Sequence, residues 1–166
     1  MPAFLIAVIA ALIIGAGLLF PNKAWALPSR ANPYAADIMA AERTNGLPVN
    51  LLGRVLWQES RFREDIIKGD TVSSAGAIGI AQIVPRFHPK VDPLNPIDSI
   101  YYAAGFLKDQ RQIFGTWPLA LAAYNWGPGN VQKALRAFGT DWIDHAPTET
   151  QKYVFQITDD VPAALG

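Results

Sequence analysis

The chain has 166 residues, enough for one domain and a short appendage. Lys plus Arg equals Asp plus Glu at 14 each, so a formal net charge of zero offers no electrostatic basis for a nucleic-acid partner. The sequence contains no cysteine, which excludes disulfides, thiol catalysis and thiolate metal sites. His88 and His145 stand far apart with no third ligand at a suitable spacing, so we expect no metal and no other cofactor.

An apolar segment without charged residues occupies residues 3–20. Its length is close to the roughly 20 residues that a membrane-spanning helix needs. The alternative is a cleaved secretory signal, because Ala24-Trp25-Ala26 has the small-x-small form of a cleavage site. No Lys or Arg precedes the segment, which favours the span. We therefore predict a transmembrane or signal segment in residues 1–27 and a single domain in residues 28–166.

The rest of the chain shows mainly helical patterns. Residues 21–33 contain several prolines and are typical of a linker. Apolar periodicity and terminal Gly, Pro and Asn residues predict helices at Tyr34–Thr44, Pro48–Arg61, Asp98–Phe114, Pro118–Tyr124, Val131–Phe138 and Pro147–Thr158. Asp98 or Ser99 is expected to cap the third helix, and Asn130 the fifth. Residues 68–97 predict irregular structure or a short hairpin. The predicted class is mostly α with minimal β structure.

Glu59 is the candidate for acid–base chemistry. It follows Val55 by four residues and Leu56 by three, so helical geometry places it at the end of an apolar stripe. A carboxyl group that faces a core favours its neutral form, and the resulting rise in pKa suits a general acid near neutral pH. The alternative is an ion pair with Arg54 or Arg63. On position alone the ion pair is favoured, because buried acids are more often paired than catalytic.

Three further segments follow Glu59 along the chain: residues 76–82 (GAIGIAQ), 123–129 (AYNWGPG) and 149–154 (ETQKYV). The glycines of the first segment allow a sharp turn and a close approach of the backbone to a ligand, and its terminal amide can both donate and accept hydrogen bonds. The second places aromatic rings and an amide together at a helix end. In the third, an acid and a tyrosine stand at i and i+4 on one helix face.

In this order and spacing, the Glu59-Ser60 pair and these three segments resemble the soluble lytic transglycosylase family, which is related in fold to goose-type lysozyme, over about residues 33–158. The resemblance implies a lysozyme-like catalytic domain with Glu59 as catalytic acid and base. It also implies that the substrate-binding residues are Ser60, Gln82, Tyr124, Asn125, Glu149 and Tyr153. Family members often carry Met directly before the glutamine of the GAIGIAQ segment, where this chain has Ala81, so the detail of the sugar subsites stays open.

The resemblance further implies the reaction and its setting. Glu59 is expected to protonate the MurNAc-β-1,4-GlcNAc oxygen of peptidoglycan glycan strands, with help from the substrate's acetamido group, and then to take the proton of the C6 hydroxyl, which leaves a 1,6-anhydro-MurNAc end. The alternatives are a hydrolytic muramidase on the same fold and a non-catalytic, membrane-inserted glycan-binding or structural virion protein. The expected location is the periplasmic side of the cell envelope, membrane-anchored through residues 3–20 or exported. The partners there are those of a secretion or conjugation complex, or of a phage virion that opens the wall during DNA entry.

Overall fold

The computed structural model describes residues 25–166. No helix in this part of the chain is long and apolar enough to cross a membrane. The predicted transmembrane or signal segment at residues 3–20 lies outside the described residues. The predicted division of the chain into residues 1–27 and 28–166 therefore stays a prediction.

The described chain is almost entirely helical. Its helices are α1 (Ala35–Asn45), α2 (Leu51–Ser60), α3 (Glu64–Ile67), α4 (Pro96–Phe114), α5 (Trp117–Trp126), α6 (Pro128–Phe138) and α7 (Thr148–Asp160). Short 3-10 helices occupy Ser29–Tyr34, Gly139–His145 and Pro162–Leu165. Within residues 25–166, β structure is confined to one antiparallel bridge between Ile78 and Ile83. The predicted class, mostly α with minimal β structure, is confirmed. The three 3-10 helices were not predicted, and among the α-helices α3 was missed because its 4 residues are too few for a periodic pattern to show.

The start of α2 differs from the prediction. Asn50 has a φ of 71°, which a residue inside a right-handed helix does not adopt, so α2 begins at Leu51 and not at Pro48. A turn closes between the carbonyl of Pro48 and the N–H of Leu51, over 3.1 Å. The proline that suggested a helix start therefore belongs to the turn that precedes the helix.

The predicted cap of α4 is also wrong. The side-chain oxygen of Asn95 accepts hydrogen bonds from the backbone N–H groups of Ile97, over 3.1 Å, and Asp98, over 3.2 Å. Asn95 is therefore the cap, and Asp98 and Ser99 lie inside the first turn. Pro96 takes the first helical position, where its missing N–H leaves no donor unsatisfied.

The predicted cap of α6 is wrong for the same reason, because proline favours the first position of a helix. The helix begins at Pro128, two residues before Asn130, with Gly127 as the residue that precedes it. Asn130 lies in the first turn, where its Nδ2 donates to the carbonyl of Trp126 over 2.7 Å. It therefore ties α6 back to the end of α5 and does not cap the helix.

Part of the predicted linker packs against α2. The carbonyl of Trp25 accepts a hydrogen bond from Nδ2 of Asn50 over 3.0 Å. The side chain of Leu27 lies 2.7 Å from the place where a Cβ would stand on Gly53, so a larger residue at position 53 would displace it. Proline content alone suggested a linker, whereas Trp25 and Leu27 supply apolar surface that packs on the domain.

The apolar core is built around α2. This helix packs between α1 and α7, α1 packs on α4, and α5 packs on α4, α6 and α7. Leu51, Leu52, Val55 and Leu56 have no exposed surface. Because α2 is enclosed along its length, its C-terminal turn is the place where it reaches a surface cleft.

Two polar contacts fix α2 among its neighbours. The carboxylate of Glu42 in α1 accepts the backbone N–H groups of Asn50, Leu52 and Gly53, over 3.1, 2.9 and 3.2 Å, which satisfies donors that a helix start leaves free. Further along, Nε of Arg54 donates to the carboxylate of Asp160 in α7 over 2.6 Å. The first contact sets the position of α2 along its axis, and the second sets its position relative to α7.

Candidate active site

Glu59 lies in the last turn of α2 with its side chain half-buried. The hydroxyl of Tyr153 in α7 donates a hydrogen bond to its Oε1 over 2.6 Å. Burial raises the pKa of Glu59 from 4.5 to about 7, against the Tyr153 hydrogen bond, which lowers it, and with the nearby charge of Glu149, which raises it further. A carboxyl group with this pKa can give up and take back a proton near neutral pH.

The ion pair that competed with the catalytic interpretation of Glu59 does not form. Arg54 pairs with Asp160 over 2.6 Å, and Arg63 pairs with Asp65 over 2.6 Å. No ion pair among residues 25–166 includes Glu59. Its charge is therefore not neutralised by a neighbouring cation, and burial sets its pKa.

Glu59 opens into a cleft of about 890 Å³. Beside Glu59, the cleft is lined by polar or charged side chains from separate parts of the chain: Ser73, Gln82, His88, Tyr102, Tyr124, Asn125, Asn130 and Glu149. Aromatic surface comes from Phe87, Phe106 and Trp126. Four of the residues predicted to bind substrate, namely Gln82, Tyr124, Asn125 and Glu149, are thus brought together around Glu59.

The GAIGIAQ segment forms a tight turn at the cleft. Ile78 and Ile83 exchange backbone hydrogen bonds of 3.1 and 3.0 Å, and Gln82 between them has a φ of 47°. Gly79 has a φ of 79°, and the carbonyl of Pro93 fills the space where its Cβ would be. The glycine is therefore required by the approach of this protein's own backbone, and not by a bound sugar. The Nε2 of Gln82 donates to the carbonyl of Gly79 over 3.1 Å, which leaves its Oε1 as an acceptor in the cleft.

The AYNWGPG segment joins this turn to α7. The hydroxyl of Tyr124 donates to the carbonyl of Ala81 over 2.8 Å, and Oδ1 of Asn125 accepts from the hydroxyl of Thr150 over 2.8 Å. With Oδ1 engaged, Asn125 offers its Nδ2 to the cleft as a donor. Burial and the charge of Glu59 raise the pKa of Tyr124 well above its usual value, so its phenol stays protonated.

Tyr153 has a different place from the one expected for a substrate-binding residue. Its side chain is buried, is only 3% exposed and lies behind Glu59. Burial, followed by the charge of Glu59, raises the pKa of Tyr153 well above its usual value, so it stays a hydrogen-bond donor. Its contact is with the acid itself, and it can orient the carboxyl group but cannot lie along a sugar.

Ser60 lies outside the cleft. It has no exposed surface, and its hydroxyl donates to the carbonyl of Leu56 over 3.1 Å and accepts from the N–H of Phe62 over 3.2 Å. These contacts end α2 and turn the chain, with Arg61 and Phe62 at positive φ values of 53° and 51°. The expectation that Ser60 binds substrate is therefore corrected, because both hydrogen-bonding roles of its hydroxyl serve the helix end.

A second wall of the cleft escaped the sequence analysis. Nδ1 of His88 is hydrogen-bonded to the hydroxyl of Tyr102 over 2.7 Å, and Phe106 meets Tyr124 edge-on with ring centroids 5.8 Å apart. From the sequence, His88 was considered only as a possible metal ligand. Within residues 25–166, no three His, Cys, Asp or Glu side chains cluster as metal ligands would. The available signal was the i, i+4 spacing of Tyr102 and Phe106 on α4, which puts two aromatic rings on one face.

The chain is similar to known proteins in sequence and in fold. The family model described as the transglycosylase SLT domain matches residues 37–146. Similar solved structures include an inactive mutant of the lytic transglycosylase Slt from Pseudomonas aeruginosa, with 25% identity, a TM-score of 0.61, and coverage of 77% of this chain and 23% of that one. Another is the 70 kDa soluble lytic transglycosylase SLT70 from Escherichia coli, with 21% identity, a TM-score of 0.64, and coverage of 80% and 26%.

This chain thus spans about a quarter of the length of these two proteins. The two likenesses confirm the lysozyme-like, mostly helical fold that the motifs predicted. The family match covers more than half of the chain and includes Glu59, the GAIGIAQ turn and the AYNWGPG segment. The chain therefore belongs to the transglycosylase SLT domain family.

Proposed function

We propose that the protein is a peptidoglycan lytic transglycosylase that cleaves the MurNAc-β-1,4-GlcNAc bond and leaves 1,6-anhydro-MurNAc ends. Glu59 acts as general acid and then as general base. The observation that carries the proposal is a half-buried carboxyl group with a pKa of about 7 and no ion-pair partner among residues 25–166. It opens into a cleft lined by aromatic rings and amide side chains. Similar solved proteins are named lytic transglycosylases, which agrees with this reaction.

The arrangement of carboxylates supports a mechanism with one acid. Glycosidases with two carboxylates need the second on the opposite side of the sugar, as nucleophile or base. The other carboxylate in this cleft, Glu149, stands one helical turn from Tyr153, the residue that holds Glu59. It therefore lies on the same side as Glu59. Among the described residues that line the far wall there is no Asp or Glu, so the substrate's own acetamido group is the nucleophile that fits.

The proposed steps follow from this arrangement. Protonated Glu59 gives its proton to the glycosidic oxygen, and the acetamido oxygen of MurNAc attacks C1 as the GlcNAc alcohol leaves. The Glu59 carboxylate then takes the proton of the MurNAc C6 hydroxyl, whose oxygen attacks C1 and displaces the acetamido group. Water is not consumed, and Glu59 ends protonated, as it began. Tyr153 keeps the carboxyl group in place throughout, and the amides of Gln82 and Asn125 bind sugar hydroxyl and acetamido groups.

Product analysis tests the proposal. Purified peptidoglycan is digested with the full chain, and the fragments are identified by mass spectrometry. We expect anhydro-MurNAc ends, and Glu59→Gln is expected to lower their rate of formation about a thousandfold, the scale of a lost general acid. Glu64→Gln, in an exposed acid paired with Lys68, is the matched control and should keep full activity. Reducing MurNAc ends would instead indicate the hydrolytic muramidase, and activity that survives Glu59→Gln would refute the role of Glu59.

The proposed setting is the cell envelope, on its periplasmic side, where peptidoglycan lies. Attachment through residues 3–20 is part of this proposal and rests on the apolar sequence. A secretion or conjugation complex and a phage virion both require such local opening of the wall. Fractionation of cells that express the full chain tests the anchor, because a retained span stays with membranes after washing with high salt and alkali. Release by either wash would overturn it.

A further inference from the structure

The far wall of the cleft has features that the proposed chemistry does not use. Phe87 and His88, from the irregular segment after the GAIGIAQ turn, face the cleft beside Tyr102 and Phe106 of α4. The acids that line the cleft in the described chain, Glu59 and Glu149, belong to the opposite wall. One wall therefore carries the carboxylates, and the other is aromatic.

His88 holds this far wall in place. Its ring meets Tyr102 edge-on, with centroids 5.5 Å apart, in addition to their 2.7 Å hydrogen bond, and it meets Phe106 edge-on at 5.4 Å. With His88 fixed, the neighbouring Phe87 stays at the rim, where 66% of its surface is exposed. A large apolar side chain exposed at the rim of a cleft is a feature of binding surfaces.

Arg86 lies next to Phe87, on the outer side of this rim. Its guanidinium lies 4.5 Å from the centre of the Phe87 ring. The residue is exposed, and no ion pair among residues 25–166 includes it. A guanidinium stacked on an aromatic face keeps the N–H groups at its edge free, and the stack restricts its motion, which suits it to bind a carboxylate with two parallel hydrogen bonds.

The chemistry of peptidoglycan identifies the carboxylate. The hydroxyl and acetamido groups of the glycan are neutral, and the lactyl carboxyl group of MurNAc is bound in an amide to the stem peptide. The negative charges of a peptide-bearing strand therefore lie on the stem peptides, which project sideways from the glycan. We propose that Arg86 and Phe87 form a site for a stem-peptide carboxylate at the rim of the cleft, and that this site makes the enzyme prefer peptide-bearing strands to bare glycan. This inference rests on the proposed function.

The test compares two substrates and two arginines. The full chain, its Arg86→Gln variant and its Arg136→Gln variant act on peptide-bearing strands and on the same strands after two treatments: enzymatic removal of the stem peptides, and chemical amidation of the lactyl carboxyl groups that this removal frees. Arg136 is another exposed arginine, in the last turn of α6, and among residues 25–166 its guanidinium lies over no aromatic ring. For Arg86→Gln we expect KM on peptide-bearing strands to rise about fivefold, the scale of one exposed ion pair, with kcat unchanged. On bare glycan Arg86→Gln should match the unmodified chain, and Arg136→Gln should match it on both substrates.

A second variant and a binding measurement keep the outcomes separate. Phe87→Leu removes the stacking ring and should raise KM on peptide-bearing strands by a smaller factor. An equal effect of Arg86→Gln on both substrates, or no effect on either, overturns the inference. If the unmodified chain forms no anhydro ends, the proposed function fails. In that case a nuclear magnetic resonance titration tests the binding site independently of activity, with a soluble stem tripeptide whose carboxyl groups are free or amidated. Chemical-shift changes at Phe87 that require both the free carboxylates and Arg86 support the site. Their absence refutes it.

Discussion

Two carboxyl groups, one buried and one half-buried, stand at opposite ends of α2, and their surroundings differ. Glu42 meets the N-terminal end, where three backbone N–H groups bind it, whereas Glu59 lies in the C-terminal turn and receives one hydrogen bond, from Tyr153. Burial raises the pKa of both groups. Backbone N–H groups oppose the rise at Glu42, and a single phenol opposes it at Glu59.

The helix itself contributes to this difference. The N-terminal end of a helix carries partial positive charge and favours an anion, and the C-terminal end does the opposite. A carboxylate at the N-terminal end can therefore serve as a structural anchor. At the C-terminal end the protonated form of an acid is favoured. The comparison teaches that burial alone does not make a catalytic acid, since the number and type of donors around the carboxyl group decide its use.

The largest effect on stability is expected at the anchoring end. Glu42→Ala leaves buried N–H groups at the start of α2 without an acceptor, so the free energy of unfolding should fall by about 3 kcal/mol. Urea denaturation followed by circular dichroism measures it. Glu64→Ala, in an exposed acid, is the control and should change stability by less than about 0.5 kcal/mol. Equal stability of the two variants would show that Glu42 does not anchor α2.

Because of Glu59, at the C-terminal end of α2, the free energy of unfolding should fall as the pH rises. The folded-state pKa of Glu59, about 7, exceeds its ordinary value of 4.5, so the folded protein binds more protons in this range and the chain loses stability as the pH rises from 4.5 to 7. Glu59→Gln has no such group. Its advantage in unfolding free energy over the unmodified chain should therefore grow by about 2 kcal/mol between pH 5 and pH 8, allowing for partial exposure. A pH-independent difference would contradict the raised pKa.

Loss of the Tyr153 hydroxyl should act on the rate and on its pH dependence. In the proposed reaction, activity falls as the pH rises through the pKa of Glu59. The Tyr153 hydrogen bond lowers that pKa, so Tyr153→Phe should move the alkaline limb of the profile to higher pH. It should also lower kcat about tenfold, the scale of one hydrogen bond to a charged group. A lower kcat with an unmoved limb would point to a role in packing alone.

The smallest effect is expected from Glu149. Its negative charge raises the pKa of Glu59, so Glu149→Gln should move the alkaline limb to lower pH, opposite to Tyr153→Phe. Glu149 is exposed, so added salt should shrink the difference between this variant and the unmodified chain. The pH profile of kcat at low and at high ionic strength measures both. A shift in the same direction for the two variants would refute the opposing influences of phenol and carboxylate.

Sequence patterns predicted those parts of the molecule that depend on near neighbours in the chain. The helical class, the irregular stretch before α4 and the place of Glu59 at the end of an apolar stripe all follow from periodicity and from Gly, Pro and Asn signals. Errors occurred where two local signals competed. Asn95 and Pro96 start α4 in place of Asp98 or Ser99, and Asn130 lies in the first turn of a helix that it was expected to cap.

The sequence by itself determined the family and the candidate acid, because its motifs keep their order and spacing along the chain. Only the tertiary structure decided how that acid is used. Arg54 pairs with Asp160, 106 residues away, and Glu59 has no ion-pair partner in the described part of the chain. Tyr153 comes from 94 residues away to hold Glu59, and Ser60, its neighbour in sequence, is turned into the core. Spacing along the chain places a carboxyl group on a helix face. Its pKa depends on burial and on partners that only folding brings near.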